Sequence, residues 1–123
     1  MYERFEEWLD NALQRELPEN MAAFNFNIYE DGDNMWSVEL VGTETFNVSD
    51  QDWACDEIFT ENRDEPFEWE EDAKWEIIQE EVACWITEYL ENGDNADILK
   101  KYEAVGLGFV DGDIELMYIR EEA

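Results

Sequence analysis

Phe24-Asn25-Phe26-Asn27-Ile28-Tyr29-Glu30-Asp31-Gly32-Asp33-Asn34-Met35-Trp36-Ser37-Val38-Glu39-Leu40 is the stretch that decides the fold. Phe24, Phe26 and Ile28 fall on one side of an extended chain, and Asn25, Asn27 and Tyr29 on the other. After the turn residues 31–34, Trp36, Val38 and Leu40 resume the same alternation. Period-two patterning on both sides of a Gly/Asn/Asp turn predicts a hairpin with one apolar face and one polar face. A third strand is expected near residues 43–48, after a turn at Gly42, which would extend the hairpin into an antiparallel meander.

Outward from this hairpin the period changes. Tyr2, Phe5, Leu9, Ala12, Leu13 and Leu17 recur at three- and four-residue spacing, one stripe of an amphipathic helix. Pro18 disfavours helix at the preceding residue, so the helix should stop near Glu16. A stronger stripe follows at Trp75, Ile78, Val82, Trp85, Ile86 and Tyr89, with acids before its first turn and Asn92-Gly93 as its stop. A short helix is expected over residues 94–102. The chain then closes on a hairpin: Val105, Leu107 and Phe109 alternate with Gly106, Gly108 and Val110, Asp111-Gly112 turns, and Ile114, Leu116 and Tyr118 continue. Gly106 and Gly108 leave one strand face bare, which predicts close approach of a helix or a partner backbone. The expected fold is a single α+β domain over residues 1–123, an antiparallel sheet of about five strands in the order αβββααββ, with the helices on one face.

The composition says that this domain folds and what it cannot do. Of 123 residues, 35 are Asp or Glu and 7 are Lys or Arg, a net charge of −28 with no histidine. Aromatics make up 15 % of the chain, far from a disordered composition. Direct nucleic-acid binding needs clustered cations to displace counterions, and an anionic membrane needs them too; seven scattered ones serve neither. The acidic start and the lack of a long apolar run point to a cytoplasmic protein, bacterial or phage in character. Cys55 and Cys84 stand in no metal-binding spacing and read as reduced thiols, Cys84 part-buried on its helix.

No cofactor or metal is expected. The turns at residues 31–34, 94–95 and 111–113 do not follow the EF-hand ligand order and read as punctuation. Histidine-based nucleophilic chemistry is excluded by composition, and there is no glycine-rich phosphate loop or nucleophile elbow. Paired carboxylates could hydrolyse a glycosidic bond, but among 35 acids some pairs are close by chance.

Residues 49–72 stand apart, with eleven acids, one Arg and four large aromatics. Interface energy concentrates in a few buried aromatics, while rim charges set encounter rate and exclude wrong partners. The expected binding surface is therefore residues 50–69. Trp53, Phe59, Phe67 and Trp69 would be its anchors, and Asp52, Asp56, Glu57, Glu61, Asp64 and Glu65 would supply the field. The expected function is non-enzymatic: an inhibitor that binds a basic protein, with an immunity protein against a nuclease-type toxin as first candidate. In size, acidity, tryptophan content and lack of catalytic motifs the chain resembles small immunity proteins of bacterial toxin systems. A DNA mimic of the antirestriction type is the alternative, and a carboxylate-based hydrolase the second.

Overall fold

The computed structural model describes residues 1–60, 65–110 and 112–120. The order of elements is α1 (Tyr2–Leu13), β1 (Ala23–Gly32), β2 (Met35–Thr43), a 3-10 turn (Gln51–Cys55), β3 (Glu57–Phe59), β4 (Phe67–Glu70), α2 (Trp75–Asn92), α3 (Ala96–Lys100), β5 (Ala104–Phe109) and β6 (Glu115–Ile119). The class is α+β, and the sheet has six strands.

The deciding hairpin forms as its pattern requires. β1 and β2 pair antiparallel from Ala23↔Thr43 to Gly32↔Met35. Asp33 and Asn34 take φ of 52° and 64°, the positive values that a two-residue hairpin loop needs at both central positions. Phe24, Phe26, Ile28, Trp36, Val38 and Leu40 all enter the main core, together with Val105 and Leu107 of β5 and Phe67 and Trp69 of β4. The apolar stripes of α1, α2 and α3 enter the same core, so the helices cover one face of the sheet.

The sheet is mixed, not purely antiparallel. Its order is β3-β2-β1-β5-β6, with β4 also on β2, and β1 and β5 run parallel from Ala23↔Ala104 to Ile28↔Phe109. The physical reason is the long helical connection between β4 and β5. A hairpin reverses direction, whereas a crossover through helices returns the chain in the same direction. Both central strands carry the burial that a parallel pair requires: within β5, Ala104, Val105 and Leu107 have no exposed surface.

Residues 43–48 are not a separate strand. β2 itself runs to Thr43, and β3 and β4 lie inside the stretch that showed no long period. They share one edge of β2: β3 pairs at Gly42 and Thr43, β4 from Met35 to Val38. The four-residue β4 alternates Phe67 and Trp69 inward with Glu68 and Glu70 outward, too short a run to stand out beside eleven acids. The helix ends also shift: α1 stops at Leu13 and α3 is confined to Ala96–Lys100.

The second face of the sheet carries a small cluster of its own. Ala23, Ala104 and Trp53 are buried there, with Phe46, Ala54, Ile114 and Leu116 around them. The bare face at Gly106 is filled from within the chain: a Cβ there would stand 3.1 Å from the Trp53 indole, 2.9 Å from Ile114 and 2.6 Å from Asn25 Oδ1. At Gly108 a Cβ would stand 2.6 Å from the Asp113 carbonyl oxygen. The close approach is therefore made by this chain's own indole and loop, in place of the expected helix or partner backbone. Among the described residues no helix is long and apolar enough to cross a membrane.

Candidate functional site

The four aromatics expected to anchor a partner are core residues. Trp53, Phe59, Phe67 and Trp69 are between 0 and 5 % exposed. Phe67 and Trp69 point inward from β4 and join Phe5, Trp8 and Trp85 in an aromatic cluster with ring centroids 5.2–6.0 Å apart. Phe59 enters the same core from β3, and Trp53 fills the second sheet face against Phe46. This corrects the expected surface: an indole whose area is already removed from water has none left to bury in a complex.

The acids expected around them do lie outside. Asp52, Asp56 and Glu65 are exposed and Glu57 is partly so; Glu61 and Asp64 lie outside the described residues. Several of these carboxylates have local structural work. Asp56 accepts from the Thr45 hydroxyl at 2.5 Å, and Glu65 pairs with Arg15 at 3.1 Å. The segment is also tied down by indoles, since Trp8 donates to the Glu65 carbonyl at 2.8 Å and Trp36 to the Glu71 carbonyl at 2.9 Å. Residues 50–69 thus combine core aromatics with surface acids, without bringing the two together on one face.

An exposed aromatic surface exists elsewhere. Trp75, the first residue of α2, is 54 % exposed although the helical spacing assigned it to the core stripe. The buried stripe begins one turn later at Ile78, and the Trp75 indole lies over Phe109, in the last pair that β5 makes with β1. The two rings pack edge to face, with centroids 5.9 Å apart at 87°. Val110, 49 % exposed, continues the apolar surface beyond Phe109. Trp75, Phe109, Val110 and Tyr29 line an open cleft of about 680 Å³, with Gln79, Glu30 and Asp113 at its margin.

The cleft walls are held by the backbone. The Val110 amide donates to the Ile28 carbonyl at 3.3 Å and the Gly112 amide to the Phe109 carbonyl at 2.9 Å. Tyr29 connects the cleft to the second sheet face, where its hydroxyl donates to Glu39 Oε1 at 2.6 Å and Asn27 Nδ2 to the same oxygen at 3.0 Å. Glu39 is only 3 % exposed, so the donors from Asn27 and Tyr29 offset part of the cost of burying its carboxyl group. Sequence reasoning missed this site. The available signal was small: Trp75 sits at a helix start and Val110 beside an Asp-Gly turn, where a strand or stripe overshoots its cover.

Carboxyl chemistry concentrates at a different place. Burial, followed by hydrogen bonding to and repulsion from Glu71, pushes Glu81 up to about 7. Glu71 Oε1 already accepts from the Trp69 indole at 3.1 Å, and Glu81 Oε2 is buried without a donor. Among the described residues no group of His, Cys, Asp and Glu is arranged to hold a metal. Cys55 and Cys84 are both free and exposed, so Cys84 lies on the outer side of α2 and not part-buried.

No protein-family model, curated protein or solved structure matches the chain.

Proposed function

We propose that this protein is a non-enzymatic inhibitor that binds and neutralises a basic protein, and that its docking surface is centred on Trp75. The observation that carries the reading is the pairing of a net charge of −28 with a half-exposed tryptophan in an acid-rimmed cleft. Uncompensated charge of this size costs folding stability through self-repulsion. A cationic partner would offset that repulsion. The field would accelerate encounter and the aromatic cleft would slow dissociation. The first candidate is an immunity role against a nuclease-type toxin, whose phosphate-binding cleft is cationic by necessity.

One observation favours the DNA-mimic alternative. Glu76, Glu80, Glu88 and Glu91 are all exposed on α2, where four residues advance about 6 Å along the axis. Cys84 interrupts that spacing, and mimicry needs an unbroken array, so dedicated inhibition stays first.

The test is a titration of purified cationic nuclease domains with this protein in a DNA-cleavage assay. Dedicated inhibition predicts complete loss of cleavage at one equivalent for one such domain and none for unrelated ones. Inhibition of many unrelated DNA-binding proteins, relieved by excess duplex DNA, would establish mimicry instead. Weak inhibition that vanishes at physiological salt for every domain would overturn both readings.

A further inference from the structure

We propose that the Trp75 cleft is a receptor for an arginine side chain, so that the basic partner presents an arginine-bearing loop at this point. The inference rests on the inhibitor reading and names the chemistry of its docking site.

Three observations meet at the cleft. The first is aromatic: the Trp75 ring, 54 % exposed and packed edge to face on Phe109, offers a π-face to the cleft. A cation over an indole face is attracted by the ring quadrupole, more strongly where water is partly excluded. The second is charge. Glu30, from the end of β1, and Asp113, from the loop before β6, stand on the same cleft. Ion pairs between described residues form at Arg15 with Glu65 and at the amino terminus with Glu3, so neither Glu30 nor Asp113 draws on them. The third is the apolar surface of Val110, 49 % exposed, against which an aliphatic stem can lie.

Arginine fits this combination better than lysine. Its guanidinium is planar, stacks on an indole and forks to carboxylates at the same time, and is less strongly hydrated than an ammonium. A cleft of about 680 Å³ is larger than one side chain fills, which suits an arginine carried on a loop whose backbone also enters.

The experiment titrates the full chain with three capped tripeptides, Gly-Arg-Gly, Gly-Lys-Gly and Gly-citrulline-Gly, at constant ionic strength, while following the Trp75 indole N–H and the Val110 methyls by NMR. The expected result is a saturable shift at these groups with the arginine peptide. Its affinity should exceed that of the lysine peptide at least about fivefold, and the neutral citrulline peptide should give no saturable shift. Glu30→Gln and Asp113→Asn, both at exposed positions, should each weaken the arginine peptide several-fold without changing the fold. Trp75→Phe keeps a ring but a weaker π-face and should weaken it less than Trp75→Ala. Equal affinity for arginine and lysine, or small shifts spread over all surface acids, would overturn the proposal. Failure here alongside tight inhibition of a nuclease would overturn the cleft and leave the inhibitor reading intact. Arginine binding without inhibition of any basic protein would do the reverse.

Discussion

The Tyr89 hydroxyl donates to Asp10 Oδ1 at 2.5 Å, a bond between α2 and α1 whose partners are 79 residues apart. Tyr89 is fully buried, and Asp10 also accepts from Asn95 Nδ2 at 3.1 Å. One carboxylate therefore ties α1, α2 and the start of α3 together beneath an otherwise acidic surface. Burial first, then the Asp10 carboxylate, pushes the ionisation of the Tyr89 phenol upward, so it stays a donor. Hydrogen bonds to a charged group contribute about 1.5–3 kcal/mol. Tyr89→Phe should cost that much in urea unfolding at unchanged m-value, whereas a loss below about 0.5 kcal/mol would show that the bond does little to hold the helices.

Trp53 and Gly106 should behave as one packing unit. Removing a buried aromatic costs about 3–5 kcal/mol, so Trp53→Ala should be severe. Gly106→Ala forces a Cβ into space shared by the indole, Ile114 and Asn25, an overpacking worth about 1–3 kcal/mol. Because part of that space is vacated in Trp53→Ala, the double variant should cost less than the sum. Strict additivity in a double-mutant cycle would refute the contact.

Trp75→Ala should separate binding from folding in the opposite sense. A half-exposed side chain at a helix start contributes little to the core, so the stability change should stay within about 1 kcal/mol. Dissociation of a bound basic partner, followed by surface plasmon resonance, should accelerate by at least about tenfold. If Trp53→Ala accelerates it as much in a variant that remains folded, the docking surface lies over residues 50–69 after all.

Stability should rise as the solution is acidified from pH 8 to pH 5. Glu81 has its folded pKa raised from 4.5 to about 7, so in that window the folded chain holds a proton that the unfolded chain has released. This contribution is complete below about pH 4.5 and is lost as the pH rises through about 7. Glu81 is partly open to water, and screening reduces the effect to the order of 1 kcal/mol, a shift of about 3–5 °C in Tm. Glu81→Gln, whose amide donates to Glu71 at every pH, should flatten the Tm–pH curve over this range and raise Tm at pH 8. Glu80→Gln, its exposed neighbour, should leave the slope in place. A slope unchanged in Glu81→Gln would mean that Glu81 does not hold that proton.

Much of the fold was legible because its signals are local. Alternation at Phe24, Phe26, Ile28, Trp36, Val38 and Leu40 and the helical spacing at Ile78, Val82, Ile86 and Tyr89 each need only a few neighbouring residues to be read. The direction of β5 and the pairing of β3 and β4 were not legible, since strand neighbours are chosen by which edges remain open once the helices have packed. The binding surface was misread for a related reason. The amphipathic segment at residues 67–70 alternates over four residues only, and its glutamates obscured Phe67 and Trp69 as inward-facing residues.

The sequence by itself determined that this chain is strongly acidic, rich in aromatics and without histidine, because those follow from residue counts. It also determined which faces of the first hairpin and of α2 are apolar, because periods of two and 3.6 are properties of the chain. Only the tertiary structure decided which tryptophans remain in contact with water. Burial depends on what covers each ring: Trp69, in a charged stretch, meets Trp85 across the core, while Trp75, on an apolar stripe, packs edge to face on Phe109 and stays half exposed.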